Sequence, residues 1–415
     1  MRIDTIRLIN FRCWTEYTLL LTKRFTLLIG ENGTGKTAIL DSIAIATGSF
    51  LLGIPNLRPN EKRHITRDDE RYSTLIMGQT PIKETQYQTM VRAEGHINSI
   101  PVNWARYKDI RTNQQDAKEI ISIVKNLIKE ITNPKTILPA IAYYGTGRLW
   151  KQLKATEKKT KGPTSRLDGY QDCLNPASDQ KRFFIWFKTQ EIAALQKKEQ
   201  RHTLEVVREA IIKMIPNAKN AFWDLDWDEL MIETEIQDIP QQIPFHLLSD
   251  GYRNMIGMVA DIAYRMATLN PQLEADVIKQ TEGIVLIDEI DLHLHPQWQR
   301  EVVDRLLKTF PKVQFVATSH SPFIIQSLYG RDDVLLWDLE EGAPVPIESE
   351  RLSPLPMSYF SFPIISCGAG AVKLFRACLI VFTTFCEINQ GAGRSRLTFG
   401  NPCHNNPTIL PGKHP

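Results

Sequence analysis

The sequence predicts an α/β fold with a mixed central sheet, flanking helices and a helical insert lobe. Short apolar runs typical of buried strands occur at Phe25–Ile29, Ile284–Ile287 and Phe315–Thr318, and glycine-rich or polar residues follow each run. Helical apolar spacing follows the first run at Ala38–Ala46 and returns at Met255–Met266. In open α/β sheets, ligand-binding groups gather where such strands end, so these junctions are the candidate functional positions.

The first junction carries a phosphate-binding pattern. Gly30–Thr37 reads GENGTGKT and fits G-x-x-x-x-G-K-[ST] between a predicted strand and a predicted helix. Glycines let backbone N–H groups approach phosphate oxygens, Lys36 can reach the β- and γ-phosphates, and Thr37 offers a hydroxyl to Mg²⁺. The alternative is a glycine-rich turn before an ordinary helix. The predicted ATP-binding residues are Gly30, Glu31, Asn32, Gly33, Thr34, Gly35, Lys36, Thr37 and Ala38.

Composition sets the broad class of the protein. The 415 residues are 42% hydrophobic and 23% charged with a net charge of +3, which is ordinary for a globular protein and too small to indicate nucleic-acid binding. The longest apolar run, Ala377–Cys386, is about half the length needed to cross a bilayer. Arg2 and Asp4 lie in a strand-like run, so no leader is predicted. No membrane association is therefore predicted. The six cysteines include no C-x-x-C pair, which favours a reducing cytoplasm.

The chain divides into a head at 1–345 and an atypical tail at 346–415. The head contains predicted inserts at about 53–135 and 150–240, with helices predicted at Asp116–Thr132 and Phe183–Met214. From Pro356 onwards charged residues become rare, and four of the six cysteines occur there. The tail is either a divergent C-terminus or the product of a truncated or shifted reading frame. Its Cys403–His404 pair is only half of a metal site, so no metal is predicted there.

A second strand junction supplies adjacent carboxylates. In EGIVLIDEIDLHLHP (Glu282–Pro296), Asp288 and Glu289 follow the apolar run directly. Asp288 would hold Mg²⁺ through water, and Glu289 would orient and deprotonate the attacking water. The alternative is a strand that ends in a solvated acidic turn. Together with the first motif, this pair predicts hydrolysis of ATP, with Lys36, Glu289 and His320 as catalytic residues and Thr37 and Asp288 as metal ligands.

Two shorter segments complete the set. In LLSDGYRN (Leu247–Asn254), Ser249 and Gly251 at a predicted helix start would form a second anion site, although on this stretch alone an ordinary helix cap is the better explanation. In FVATSHSPF (Phe315–Phe323), His320 could hydrogen-bond a γ-phosphate or the attacking water and so report phosphate loss. The alternative for His320 is a histidine that caps a strand end.

The order of these motifs resembles the ABC-type ATPase heads of the SMC/RecF/OLD group, over roughly Met1 to Leu339. Gly30–Thr37 resembles a Walker A motif, Leu248–Arg253 an ABC signature, Ile284–Glu289 a Walker B motif and His320 the switch histidine. Asp291 is similar to the D-loop aspartate. The opening INFRCW resembles that group's first strand, which implies that Arg12 approaches the nucleotide phosphates. The fold so implied is a P-loop NTPase of the ABC/SMC-head type.

Within that group, the chain is most similar to the ATPase of Septu-type antiphage systems, some of them retron-associated. This resemblance implies a nucleotide-dependent switch that regulates a partner HNH nuclease in antiviral defence. Two features depart from it: Asp250 and Tyr252 replace the Gly and Gln of transporter signatures, and the tail after about residue 345 is unlike the family's. The stretches that carry the resemblance are AYYGTGRLW, SRLDGYQDCLNP, FFIWFKTQEIAALQ, LSDGYRNMIGMVADIAYRMATLNP and IDEIDLHLHPQWQ.

The resemblance also implies partners. In such heads the signature completes the site of a second copy, so Ser249 and Gly251 would face the γ-phosphate on the other chain's Lys36 in an ATP-dependent dimer or higher oligomer. The basic segments Arg58–Arg67 and Lys151–Lys161 are candidate contacts for DNA, RNA or a retron nucleic acid, although a solvated charged surface explains each.

Other interpretations stay open at this point. A RecF-like DNA-repair ATPase and an ATP-binding scaffold or sensor with little turnover are the alternatives, and a transporter ATPase fits least well. His293 and His295 are interpreted as structural rather than metal-binding, because Asp288 nearby already has a Mg²⁺ role. No nuclease motif is found in the sequence, so the resemblance assigns cleavage to a partner.

Overall fold

A six-stranded sheet carries the predicted junctions. The computed structural model describes residues 1–77, 80–110, 112–148, 165–176, 181–215, 217–236 and 239–347, and these fall into a single contact unit. The strand order of the six-stranded sheet is β16–β15–β3–β14–β13–β9. Strand β16 is antiparallel to β15, and the other neighbouring strands are parallel. The strands are β3 (Phe25–Ile29), β9 (Ala140–Tyr144), β13 (Gly283–Ile287), β14 (Val313–Thr318), β15 (Val334–Asp338) and β16 (Ala343–Val345).

The sequences of four strands explain the burial of this sheet. Every residue of β3, β9, β13 and β14 is buried, and parallel strands covered on both faces have nearly continuous apolar sequences. Because β14 lies between β3 and β13, the three predicted junctions open at one edge of the sheet. The parallel order therefore brings motifs together that are almost three hundred residues apart in the chain.

A second, antiparallel sheet covers the N-terminal side of the fold, in the order β2–β1–β6–β7–β8. The buried Gln314 of β14 joins the two sheets, since it accepts from Ile3 N at 2.9 Å and donates to Ile3 O at 2.6 Å. No element was predicted for residues 71–115. The strands in this region either belong to this sheet or form the hairpin β4–β5. The strands are β1 (Arg2–Phe11), β2 (Trp14–Leu20), β4 (Tyr72–Met77), β5 (Thr80–Thr85), β6 (Thr89–Ile97), β7 (Ile100–Lys108) and β8 (Asn113–Asp116).

Helix α1 (Lys36–Leu51) lies between the two sheets. It contacts β13 and β14 on one side and β6 and β7 on the other, and its side chains are almost all buried. Trp104 of β7 donates its indole N–H to Ala46 O at 2.9 Å, which fixes the N-terminal sheet to this helix. A helix that is apolar all round belongs in the interior of a protein.

Helix α5 (Asp250–Leu269) is the other buried helix, and it begins at the signature segment. Tyr144 of β9 donates to Asp261 at 2.7 Å, and Arg265 donates to the same carboxylate at 2.8 Å. Asn270, where the helix ends, exchanges two 2.8 Å hydrogen bonds with the backbone of Leu138. These buried bonds attach α5 to the edge strand β9.

The remaining elements flank this core. The predicted helix Phe183–Met214 is two helices, interrupted at the polar residues 198–201, where Lys198 has a positive φ. A three-stranded sheet, β10 (Ala218–Asp224), β11 (Glu229–Ile236) and β12 (Ile239–Pro244), precedes α5. The other helices are α2 (Lys118–Lys129), α3 (Lys181–Lys197), α4 (His202–Met214), α6 (Val277–Gln280), α7 (Pro296–Gln299), α8 (Val302–Thr309) and α9 (Pro322–Ser327).

Several predictions fall outside the described residues. Lys151–Lys161 lies there, as do Cys403 and His404, and only residues 346 and 347 of the predicted tail are described. Among the described residues, no helix has the length and apolar character that a bilayer crossing requires.

Candidate active site

The loop Gly30–Gly35 connects β3 to α1, as predicted. Gly33 and Gly35 have φ values of 88° and 95°, a region that side chains other than glycine rarely adopt. A Cβ on Gly33 would meet nothing within 4 Å, whereas one on Gly35 would lie 2.8 Å from Cys13 Sγ. The loop therefore faces open space at Gly33 and packs against the β1–β2 turn at Gly35. Its backbone precedes a helix N-terminus, which is the arrangement that binds anions.

Lys36 is buried at the start of α1 and turns back over this loop. Its Nζ donates to Gly30 O at 2.8 Å and to Glu31 O at 2.6 Å. Burial lowers the pKa of Lys36, and the negative charges of Asp288, Glu340 and Glu289 act in the opposite direction. The ammonium group is thus held between the loop and a set of carboxylates.

The carboxylate of Asp288 joins the first and second junctions. Its Oδ2 accepts from Thr37 Oγ1 at 3.0 Å, and its Oδ1 accepts from Thr318 Oγ1 at 2.7 Å. A hydroxyl and a carboxylate that converge in this way suit Mg²⁺, which takes one or two protein oxygens and completes its shell with water and phosphate. No cluster of three or more metal-ligating His, Cys, Asp or Glu side chains occurs among the described residues.

Glu289 follows Asp288 with a φ of 49°, an unusual backbone for a residue with a side chain. Its backbone N–H donates to Thr318 Oγ1 at 2.7 Å, so Thr318 contacts both members of the acidic pair. The side chain of Glu289 is only partly buried, unlike that of Asp288. The two neighbouring carboxylates therefore have different environments, as separate roles in metal binding and proton transfer require.

The third junction places His320 beside the same groups. Ser319 donates to Asp291 Oδ1 at 2.6 Å, which ties the end of β14 to the segment after Glu289. Burial and the positive charge of Lys36 lower the pKa of His320, while Asp291 and Asp288 oppose the shift. His320 is therefore neutral at physiological pH and can both donate and accept a hydrogen bond.

The signature segment lies at the start of α5, against the residues that follow Asp291. A Cβ on Gly251 would be 2.4 Å from His293 O, so this close packing requires glycine. Ser249 precedes the helix, but its hydroxyl makes no capping hydrogen bond, so side-chain capping is not its role here. The segment borders a cavity of about 630 Å³ lined by Ser249, Gly251, Tyr252, His293, Leu294, His295, Gln297 and Trp298.

The signature is not joined to the phosphate loop of its own chain. Among the described residues, none of the hydrogen bonds found links Ser249 or Gly251 to Gly30–Ala38. His295, one of the two histidines interpreted as structural, accepts from Gln297 N and caps α7.

Arg12 is held by carboxylates. Its guanidinium lies 2.6 Å from Asp69 and 2.7 Å from Asp41, although its neighbour Cys13 contacts the phosphate loop. Within the basic segment, Arg63 pairs with the same Asp41 at 3.1 Å. Arg58 pairs with Glu61 and Asp172. Two of the basic side chains in Arg58–Arg67 are therefore paired with carboxylates within the chain.

Three side chains beside the site were not predicted from the sequence. Asp41 lies four residues after Thr37 on α1, a spacing that places both on one helix face and could have been noticed. Tyr143 hydrogen-bonds Asp41, and burial raises its pKa, with Asp41 and Asp288 adding to the shift. Glu340 accepts from Glu31 N at 2.6 Å, a contact across 309 positions that no local pattern indicates.

Family comparison agrees with this geometry. A model described as "AAA domain" matches residues 5–219. A second, described as "AAA domain, putative AbiEii toxin, Type IV TA system", matches residues 194–326. Together with the strand order, the first match confirms the predicted α/β class with a nucleotide-binding loop.

Individual relatives include two named for retrons and one for Septu. The "Retron Vc95 probable ATPase" of Vibrio cholerae serotype O1 biovar El Tor is 26% identical, with 82% of this chain and 74% of that protein covered. The "Retron Ec83 probable ATPase" of Escherichia coli is 25% identical, and the match covers 82% of this chain and 72% of that protein. The "Septu protein PtuA" of Bacillus mycoides (strain KBAB4) is 28% identical, and the match covers 82% of this chain and 41% of that protein.

Solved structures with a similar backbone include SMC heads. An SmcHead bound to the C-winged helix domain of ScpA has a TM-score of 0.49 and 15% identity, covering 83% of this chain and 96% of that one. The SMC head domain from Thermotoga maritima has a TM-score of 0.42 and 13% identity, covering 81% of this chain and 94% of that one.

Proposed function

The chain belongs to the AAA domain family and is an ATPase, and we propose that it acts as a nucleotide-dependent switch in antiphage defence. The observation that carries the mechanism is the hydrogen bond between Thr37 and Asp288, at 3.0 Å. It joins the phosphate loop to the acidic pair at one edge of the sheet. The names of the retron and Septu relatives support the setting in defence.

In this proposal the chain binds ATP through the loop and its helix. The backbone N–H groups of Gly33–Ala38 and the ammonium of Lys36 hold the β- and γ-phosphates, while Thr37 and Asp288 hold Mg²⁺. Mg²⁺, when bound, supplies neutralising charge to the phosphoryl group that is transferred. Thr318 keeps Asp288 oriented, since its hydroxyl donates to the carboxylate at 2.7 Å.

Glu289 is proposed to position the attacking water and to accept its proton. Its location one residue after Asp288, with a backbone fixed by Thr318 at 2.7 Å, supports this role. The neutral His320 would hydrogen-bond the γ-phosphate or the water, and Ser319 with Asp291 would hold that strand end in place. Loss of the phosphate would then be sensed at His320.

A second copy is proposed to complete the site. Ser249 has no capping role and borders an open cavity with Gly251, which supports a function for this segment outside its own helix. In an ATP-bound dimer these residues would contact the γ-phosphate held by the other chain. The dimer would open when hydrolysis removes that shared ligand, and a partner nuclease would respond to the change.

The test measures particle mass by light scattering, with and without ATP and Mg²⁺. We expect the Glu289→Gln chain, which binds but does not hydrolyse, to gain mass with ATP, and the Lys36→Ala and Ser249→Arg chains to show no gain. Co-elution of the product of a neighbouring nuclease gene would support the defence role. Mass independent of nucleotide in every variant would show that the composite-site mechanism is wrong and that ATP is a structural ligand.

Contact with nucleic acid remains a prediction. The internal pairing of Arg58 and Arg63 weakens the case for the segment Arg58–Arg67, and Lys151–Lys161 lies outside the described residues. A salt-dependent shift of a labelled DNA or RNA duplex by the chain alone would favour the RecF-like alternative.

A further inference from the structure

The carboxylate of Glu340 contacts the phosphate loop directly. Glu340 follows β15 in the turn to β16, and its Oε1 accepts a hydrogen bond from Glu31 N at 2.6 Å. A carboxylate at a loop proposed to bind phosphates is unexpected, because its negative charge repels the phosphates that the loop N–H groups and Lys36 attract. The loop thus holds an anion that belongs to the chain itself.

The buried end of β15 determines where this carboxylate lies. Asp338 pairs in register with Ile29 of β3, and Leu339 N donates to Ile29 O at 3.1 Å. Glu340 N donates to Asp338 Oδ1 at 2.8 Å, and Asp338 is only 3% exposed. The exposed side chain of Glu340 therefore extends from a backbone that is fixed beside the loop.

The residue that Glu340 contacts also holds Lys36. Glu31 O accepts from Lys36 Nζ at 2.6 Å and from Thr34 Oγ1 at 2.9 Å, while its N–H is directed to Glu340. Glu31 thus links the carboxylate of Glu340 to the ammonium of Lys36, the group that would neutralise the nucleotide phosphates.

We propose that Glu340 makes the site select metal-bound ATP over free ATP and raises the nucleotide concentration at which the site fills. Free ATP carries more negative charge than its magnesium complex, so a fixed carboxylate beside the loop repels it more strongly. Glu340 also occupies the N–H of Glu31, within the loop that would hold the phosphates. This inference rests on the proposed function, because it assumes that ATP binds at Gly30–Ala38.

A purely structural role makes a different prediction. Glu340→Gln keeps an oxygen that can accept from Glu31 N–H and removes only the charge, whereas Glu340→Ala removes both. Glu341→Gln is the matched control, because Glu341 is the next residue, is exposed and carries the same charge. If Glu340 served only to hold the loop, Glu340→Gln would bind like the parent and Glu340→Ala would bind more weakly.

The experiment titrates the full chain with a fluorescent ATP analogue in a Glu289→Gln background, once with excess Mg²⁺ and once with EDTA. We expect Glu340→Gln to tighten the binding of the metal-free analogue about three- to ten-fold and that of its magnesium complex by less. The effect is modest because the charge of Glu340 is exposed. The effect should shrink as salt is added, because the charge is exposed. Glu341→Gln should change both affinities by less than about two-fold.

Two results would overturn the proposal: equal effects of Glu340→Gln and Glu341→Gln, or weaker binding by Glu340→Gln. Either would show that the charge of Glu340 does not discriminate between the two forms. Failure of the proposed function looks different, because the parent chain would then bind neither form while its circular dichroism shows that it is folded. In that case the nucleotide site is wrong, and the role of Glu340 is wrong with it.

Discussion

The phosphate-binding half of the site and the signature half differ in how completely their polar groups are paired within the chain. In the first, Lys36, Thr37 and Asp288 each make hydrogen bonds at 3.0 Å or less, and the groups follow strands that end at one edge of the parallel sheet. In the second, the hydroxyl of Ser249 makes no capping bond, and the segment borders a cavity. One half is preorganised by its own sheet, whereas the other leaves Ser249 exposed beside the cavity.

The largest effect should come from chemistry in the preorganised half. Glu289→Gln should lower kcat by about 10²- to 10⁴-fold, because the amide cannot accept a proton from water. Its affinity for ATP should stay within about three-fold of the parent, since Thr37, Asp288 and Lys36 are intact. Steady-state hydrolysis and equilibrium binding measure the two effects. Turnover reduced by less than ten-fold would assign the general base to another group.

Lys36→Ala should abolish binding and hydrolysis together. The buried ammonium is the main positive charge that the loop offers to phosphates, so kcat/KM should fall by about 10²- to 10³-fold. Lys36→Arg tests the geometry rather than the charge, and it should also fail, because the larger planar head cannot repeat the contacts to Gly30 and Glu31. A Lys36→Ala chain that still binds ATP tightly would remove the distinction between the halves.

The signature half should show its effect only between chains. Ser249→Arg should leave nucleotide binding by one copy unchanged and lower hydrolysis about 10- to 100-fold, because the second copy no longer completes the site. A mixture of Ser249→Arg and Lys36→Ala chains should be more active than either chain alone and should reach at most about half of parent activity, since each mixed dimer has one intact composite site of two. Failure of the mixture to recover activity would mean that both halves act within one chain.

Loss of the Thr318 hydroxyl, which orients Asp288, should have a smaller effect than the substitutions above. Thr318→Val removes the hydroxyl that contacts Asp288 and Glu289 N while keeping the shape of the side chain. We expect the Mg²⁺ concentration for half-maximal hydrolysis to rise about ten-fold, as is usual for partners of metal ligands. Thr309→Val is a control in the same sequence region. An unchanged Mg²⁺ requirement would show that Asp288 is oriented by other contacts.

The smallest effect concerns pH. The pKa values of His320 and His64 are lowered in the folded chain, chiefly by burial. The unfolded chain therefore binds protons that the folded chain does not, and the free energy of unfolding should fall as the pH drops below 6.5, the ordinary histidine value. Denaturant midpoints between pH 7.5 and 5.5 should show this decline, reduced in His320→Gln and His64→Gln. Substitution of the exposed His202 serves as the control, and an equal reduction there would contradict the assignment.

Sequence patterns predicted the strands beside the phosphate loop better than the rest of the fold. Strand β3, the phosphate loop, β13 and β14 lie where their apolar runs and motif residues indicated, because a buried parallel strand leaves a strong local signal. Strand β6 alternates buried and more exposed residues, a period-two signal that sequence analysis passed over. The predicted helix Phe183–Met214 is interrupted at residues 198–201, which are all polar and offer no apolar face.

The sequence by itself determined the strand, loop and helix around Lys36, the acidic pair at Asp288 and Glu289, and the order of the motifs. These depend on local spacing and on residue types whose chemistry acts at short range. Only the tertiary structure decided that Thr37 meets Asp288, that Arg12 is held by Asp41 and Asp69, and that Glu340 lies at the loop. The physical reason is the order of the sheet: β3 lies between β14 and β15, so residues about three hundred positions apart become neighbours through strand pairing.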